Sequence, residues 1–350
     1  MYFEEMQKKV EKLKKQKDVL ILGIESSCDE TSVAVVKNGR EVLSNIIATQ
    51  IDIHTRFGGV VPEVASRNHV MAIMGVLDEA LKVANVTLKD IDAIAVTYGA
   101  GLIGALMVGV SFAKTLAYSL NVPLIAVNHI RGHVSANYIS HKELTPPFVG
   151  LIVSGGHTAI VYAKDYTNFE TIGSTLDDAV GEAGDKIARV MGLGYPGGPK
   201  IDKMAKNGNA NIRFVKDNLK HSYDCSFSGL KTAIINYVHT LTQKGKTIPV
   251  EDICASFEKE AFDPLVEKCI RVCKEKKCDK LCVAGGVSAN SYLRNQLKMQ
   301  AEKVNIQVYM PEMKLCTDNA GMIASQGYFN LLNGIGLSDI NLGAVSNIPL

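Results

Sequence analysis

The sequence predicts an α/β protein built from two lobes, and three observations carry that prediction. A chain of 350 residues, 47% of them apolar, is too long for one hydrophobic core and has the apolar content to fill two. From residue 19 onward, short apolar runs alternate with longer helical stretches, the pattern of a mostly parallel sheet covered by helices. One motif also occurs twice: ILGIESSCDETSVAVV and GLIVSGGHTAIVYA each read as apolar strand, small polar turn and second apolar strand. A hairpin repeated at domain-sized spacing points to two related lobes.

The elements follow in order. Residues 1–18, MYFEEMQKKVEKLKKQKD, form a charged extension of mixed sign, read as a helix or frayed tail that raises solubility. Strands are expected over 19–25, 31–37 and 42–48, and a long helix from Glu63 to about Val83. A strand over 93–97 then leads through a glycine turn into a helix ending near Leu120, followed by a strand over 124–127. Pro146-Pro147 interrupts the chain and marks the boundary: a first lobe over 19–145, a second over 146–319, and a segment over 320–350 expected to pack back on the first. The second lobe opens with a strand over 148–153. Later, a strand over 280–284 runs into Gly285-Gly286 and a helix with Ser288 as its expected N-cap.

Composition narrows the function classes. The formal charge is +2, from 38 basic and 36 acidic residues, so no global field draws the chain to a polyanion, and nucleic-acid contact must be local or shared with partners. Eight cysteines without CxxC spacing fit a reduced, cytoplasmic setting. No apolar run reaches the roughly 20 residues that span a bilayer, so a soluble protein with no membrane association is expected.

Three groups of residues have the types needed for chemistry. His129 and His133 lie four apart in NHIRGHVSANYI, which on a helix places both imidazoles on one face where they can share a metal; the alternative is a cap and a core histidine. Asp318 in LCTDNAGMIA is the candidate third ligand, its ordinary alternative being an N-cap. Two imidazoles and a carboxylate leave positions open for substrate oxygens and suit Fe(II) or Zn(II). Ile130 occupies the place of the general-base Glu in HExxH, which disfavours peptide hydrolysis. Ser154, Gly155 and Gly156 follow a buried strand, where glycines let backbone N–H groups approach a phosphate, and GYPGGP and AGGVSAN supply two further glycine turns in the same lobe. No P-loop is present, nor a GxGxxG paired with a downstream ribose acid, which leaves an actin-like nucleotide cleft, with Asp185 and Asp202 as possible acceptors for ribose hydroxyls or simply solvated carboxylates. Asp29 and Glu30 sit on the first hairpin turn, facing a reacting group or only solvent. Cys28 beside them has no neighbouring His in sequence and is not taken as a nucleophile.

Taken together, ESSCDETS, HTRFGGVVPEVASRNH, NHIRGH, LIVSGGHT, GYPGGP, GGVSANSYLR and CTDNAGMIA resemble the TsaD/Gcp family, the bacterial branch of tRNA threonylcarbamoyladenosine synthases. The resemblance runs in order from about Leu20 to about Asn330. It implies an actin-like (ASKHA) fold of duplicated ribonuclease-H-like domains, and transfer of a threonylcarbamoyl group from threonylcarbamoyl-AMP to N6 of adenosine 37 in tRNAs reading ANN codons, with AMP released. It implies one divalent metal per subunit, Fe(II) foremost and Zn(II) as alternative, on His129, His133 and Asp318. Nucleotide contacts fall on Ile152, Val153, Ser154, Gly155, Gly156, Asp185, Gly198, Asp202 and Asn290, and Asp29 matches the acidic residue near the reacting centre. Implied partners are tRNA at its anticodon loop, a TsaB-like paralogue and a TsaE-like ATPase. Two departures stand out: Ala100 where the family generally has proline, and Gly184 where an aromatic is usual. Two other readings of an actin-like chain are a small-molecule kinase, which needs no His pair, and a scaffold, which needs no intact glycine turns.

Overall fold

The computed structural model describes residues 2–215 and 219–350; Met1, the first residue of the expected extension, lies outside them. The chain opens with helix α1 (Tyr2–Leu13), strands β1 (Leu20–Glu25), β2 (Glu30–Lys37) and β3 (Glu41–Thr49), a short α2 (Ile51–Thr55) and a long α3 (Pro62–Ala84). Next come β4 (Ala93–Gly99), α4 (Ile103–Leu120), β5 (Leu124–Asn128) and α5 (His129–Ser140). Strands β6 (Phe148–Val153), β7 (Thr158–Ala163) and β8 (Phe169–Ser174) precede helices α6 (Val180–Val190), α7 (Gly197–Ala205), α8 (Ser228–Gln243) and α9 (Val250–Glu275). The chain closes with β9 (Lys280–Ala284), α10 (Ser291–Glu302), β10 (Gln307–Tyr309), α11 (Ala320–Leu332) and β11 (Leu337–Ser338).

Two units result: Met1–Pro146 with Asp165–Asn168 and Pro311–Leu350, and Pro147–Lys164 with Phe169–Met310. The first unit's sheet runs β11-β5-β4-β1-β2-β3 and the second's β10-β9-β6-β7-β8. Setting aside β11, the two orders are the same when β1 to β5 are matched with β6 to β10. In each, the first strand is antiparallel to the second and parallel to the fourth. The repeated hairpin in the sequence therefore belongs to a duplicated ribonuclease-H-like domain.

Strand alternation explains how the first unit covers both faces of its sheet. Along β1, Ile21 points into a cluster with Ala95, Val127, Met322, Ile323 and Ala324, the side of α11 and α5. Leu22 and Ile24 point the other way, against Ile73, Val76 and Leu77 of α3 and Val110 and Ala113 of α4. Helix α4 alone among the described residues has the length and apolarity to cross a membrane; it carries Lys114, whose Nζ donates to the Leu342 carbonyl at 3.0 Å. The Gly99–Ala100 peptide, where the family resemblance has proline, is cis.

The N-terminal extension does more than its mixed charge suggested. Met6, Val10 and Leu13 recur at helical spacing and are buried, the latter two in the cluster that contains Ile21. The charged residues counted in the sequence lie on the remaining face, so the solubility-tail reading is replaced by that of a packed amphipathic helix. We expect Met6→Ala to lower stability by about 2–5 kcal/mol, the range for truncating a buried Met. Exposed Lys12→Ala on the same helix should stay within about 0.5 kcal/mol of wild type in urea unfolding. Equal, negligible effects of the two would restore the tail reading.

Candidate active site

Chemistry in an α/β sheet gathers where parallel strands end, and in the first unit β1, β4 and β5 end together. At the end of β5, Asn128 accepts from the Ile130 and Arg131 N–H groups and caps α5, making His129 its first residue. His133 follows one turn later, its ring 4.6 Å from that of His129 and edge-on to it. Helix α11 brings in the third residue. Its N-cap is Asn319, which accepts from the Met322 N–H, so the capping alternative for Asp318 is taken by its neighbour and the Asp318 carboxylate turns to the histidines. His133 Nε2 stands 3.2 Å and His129 Nε2 3.5 Å from the same oxygen, Asp318 Oδ1.

Two glycines make this approach possible. A Cβ on Gly23 of β1 would lie 2.3 Å from the Ala320 carbonyl, and one on Gly132 of α5 would lie 2.6 Å from Ile323 Cδ1. A side chain at Gly23 would collide with the Ala320 backbone and push the start of α11 away, whereas one at Gly132 would displace the Ile323 side chain.

The residues present fit a divalent cation. One atom each from His129, His133 and Asp318 lies within 4.8 Å of the others, two nitrogens and an oxygen from a buried pair and a partly exposed carboxylate. The surrounding field also favours positive charge. Burial pulls the His129 imidazole down, yet Asp318 and Glu25 together outweigh it and raise its pKa to about 9. Burial pushes Glu25 up, but His129 holds it below its ordinary value.

The hairpin turn is pinned from α3. His69 Nε2 lies 2.9 Å from the Cys28 carbonyl and its Nδ1 2.7 Å from Thr31 Oγ1; burial keeps this ring neutral, so it donates to the first and accepts from the second. Asp29 is buried in the turn, and burial followed by Asp318 and Asp29 raises the neighbouring Glu30 to about 10. Burial and Asp29 also push the Cys28 thiol far up, consistent with leaving it out as a nucleophile.

All the expected nucleotide residues lie in the second unit, around the ends of β6 and β9. Ile152 and Val153 finish β6, and Ser154, Gly155 and Gly156 turn the chain into β7, with Ser154 N–H donating to the His157 carbonyl at 2.8 Å. The first turn of α6 lies against this loop: a Cβ on Gly181 would sit 2.6 Å from the Ser154 carbonyl. By contrast, a Cβ on Gly155, Gly156 or Gly198 would meet nothing within 4 Å, so protein packing does not require glycine there. Asp185 and Asp202 are loop tethers rather than solvated carboxylates. Asp185 Oδ1 accepts from the Gly197 N–H at 2.7 Å, and Asp202 Oδ1 accepts from the N–H and hydroxyl of Ser291. The expected cap at Ser288 is displaced: Gly286–Ala289 forms a 3₁₀ turn and Asn290 caps α10, accepting from the Leu293 N–H. A Cβ at Gly184 would be 3.7 Å from Ile201 and Phe257, ordinary contact, so the missing aromatic leaves no clash or gap.

Sequence reasoning missed Glu25, His69 and Glu258. Glu25 ends an apolar strand, and Glu258 lies on α9 with its Oε1 accepting from Asn290 Nδ2 at 2.5 Å. Only their charge within otherwise buried runs marks them.

A family model described as TsaD, tRNA N6-adenosine threonylcarbamoyltransferase, matches residues 41–325. A curated tRNA N6-adenosine threonylcarbamoyltransferase of Clostridium perfringens is 59% identical over 333 residues, covering 95% of this chain and 98% of its own. One from Clostridium novyi is 57% identical over 338 residues with the same coverage. Among solved structures, HypF of T. kodakarensis aligns over 90% of this chain and 47% of its own at a TM-score of 0.61 and 14% identity, a likeness of fold alone.

Glu258 yields a pH test. Burial raises its carboxyl to about 7, against the pull of Asn290. Because the folded value lies above the unfolded one, the contribution is complete below about 4.5 and is lost as pH rises through about 7. We expect denaturant midpoints of the wild type to fall over that window and those of Glu258→Gln to stay flatter; parallel profiles would show that Glu258 ionises as it does in water.

Proposed function

The chain belongs to the TsaD family of tRNA N6-adenosine threonylcarbamoyltransferases, and from that premise we propose how its residues divide the reaction. The protein is a transferase that places a threonylcarbamoyl group on N6 of an adenosine in tRNA. In our reading the donor is threonylcarbamoyl-AMP and the acceptor is adenosine 37 of tRNAs that read ANN codons. His129, His133 and Asp318 hold one divalent ion, Fe(II) foremost and Zn(II) as alternative. When bound, that ion supplies a Lewis acid to a carbonyl oxygen.

The protein's own groups do the rest. The N–H groups of Gly155 and Gly156, on the turn that Ile152, Val153 and Ser154 lead into, take the phosphate, helped by the N-terminus of α6. Asp185 and Asp202, held by Gly197 and Ser291, accept from ribose hydroxyls, with Gly198 and Asn290 flanking the nucleoside. The N6 lone pair attacks the carbamoyl carbon and the bond from that carbon to the phosphate oxygen breaks. AMP leaves with the electron pair, and the N6 proton passes to Asp29.

The observation that carries this reading is the meeting of two imidazole nitrogens at one Asp318 oxygen, in a chain 59% identical to a curated threonylcarbamoyltransferase. An adenosine in a single-stranded loop can be splayed out into a protein pocket, which suits this acceptor. A net charge of +2 gives little long-range pull on tRNA, so the grip falls to partners, a TsaB-like paralogue and a TsaE-like ATPase, in the cytoplasm.

Purified chain, partners, threonylcarbamoyl-AMP and unmodified tRNA should yield threonylcarbamoyladenosine on digestion and mass spectrometry. His133→Ala is expected to cut the rate by at least about 10²-fold, the scale of losing an electrostatic stabiliser. Full activity in that variant, or none in the wild type with metal and partners verified, would reject the assignment.

A further inference from the structure

We propose that Glu25 is a positioning residue for the metal centre: its carboxylate fixes the tautomer and orientation of His129 so that Nε2, and not Nδ1, is offered to the cation. The proposal rests on the reading of His129, His133 and Asp318 as a metal site. Glu25 is the last residue of β1 and fully buried. The odd-numbered positions of β1 include Ile21 and Gly23, which face α11, and the period of two puts Glu25 on that same side, the side from which Asp318 comes.

Three donors converge on its two oxygens. Oε1 accepts from the Ser27 N–H at 2.5 Å, and Oε2 accepts from the Thr97 hydroxyl at 2.6 Å and lies 3.1 Å from His129 Nδ1. Ser27 Oγ stands 3.2 Å from the same nitrogen. Were Nδ1 bare, its lone pair would be set against Oε2. A proton on Nδ1 turns that repulsion into a hydrogen bond and leaves the lone pair on Nε2, 3.5 Å from Asp318 Oδ1. A carboxylate behind a ligating imidazole raises its basicity and locks its ring plane. The two histidines differ here, since His133 Nδ1 finds no hydrogen-bond partner among the described residues. Glu25 therefore acts on one ligand only.

A carboxamide is a poor substitute. If its oxygen faces His129 and Thr97, its NH₂ opposes the Ser27 N–H; if its oxygen faces Ser27, its NH₂ points at Nδ1 and favours the opposite tautomer. Glu25→Gln keeps size and shape while removing the fit.

The test uses the full chain labelled with ¹⁵N-histidine. Metal-free wild type, read above about pH 9, where the His129 ring is neutral, by long-range ¹H–¹⁵N correlation spectra assigned with His129→Ala, should show the ring protonated at Nδ1. Glu25→Gln, checked for folding by circular dichroism, should shift it toward the Nε2-protonated form. Competition titration with Zn(II) against a chelating dye should show affinity about 10–100-fold weaker in Glu25→Gln. A neutral His129 protonated at Nε2 alone in the wild type overturns the proposal even if the variant does not fold. Equal Zn(II) affinity in a folded variant also overturns it, leaving the metal site intact. Wild type that takes up no Zn(II) overturns the metal reading itself and Glu25's role with it.

Discussion

The close approach of the α11 N-terminus to β1 and α5 is the constraint on which the metal-site geometry depends. Nearly two hundred residues separate Asp318 from His133 in the chain, and no local preference brings them together. What does so is steric permission at two positions. Gly23 admits the Ala320 backbone against β1 and Gly132 admits Ile323 against α5. Burial of Met322, Ile323 and Ala324 among Ile21, Ala95 and Val127 then holds the helix in place. Apolar packing thus sets the position of a polar group that contributes nothing to the packing itself.

Once there, the polar groups must satisfy one another. An isolated carboxylate in the position of Glu25 would be costly, and an isolated imidazole pair beside it would lose its proton to burial. Together they form a set in which His129 stabilises Glu25, Glu25 and Asp318 favour charge on His129, and the backbone of the Ser27 turn closes the remaining acceptor. The same negative surroundings that raise His129 to about 9 would favour a divalent ion in place of that proton.

Much of this was legible in the sequence, for identifiable reasons. Strand and helix positions followed from apolar period, and the ends of α3 and β3 fell within a residue of expectation; Pro62 and Asn85 bound α3. His129 and His133 were legible as a pair because four residues is one helical turn. The charge count along α1 hid its buried stripe, since Met6, Val10 and Leu13 are a minority among lysines and glutamates. Caps were misassigned by one or two residues at α10, where Ser288 and Asn290 are equally suitable by type and only the 3₁₀ turn before the helix decides between them. Glu25 and Glu258 were not legible because a carboxylate at the end of an apolar strand, or within a long helix, looks solvent-facing until the opposing element is known.

Duplication also shows how one framework serves opposite charges. Strands β1 and β6 occupy the same place in their sheets, each between an antiparallel hairpin partner and a parallel neighbour. Where β1 ends in Glu25 and continues through Ser-Ser-Cys-Asp-Glu, β6 ends in Val153 and continues through Ser-Gly-Gly-His. The first ending puts carboxyl groups at the strand terminus, among them the buried Glu25, beside the two histidines. The second removes side chains and leaves backbone N–H groups beside a helix N-terminus, which suits an anion. Sheet order, pairing direction and strand-end position are shared, so the two units differ in the residues after this strand and in His129, His133 and Asp318, which α5 and α11 bring to the first unit.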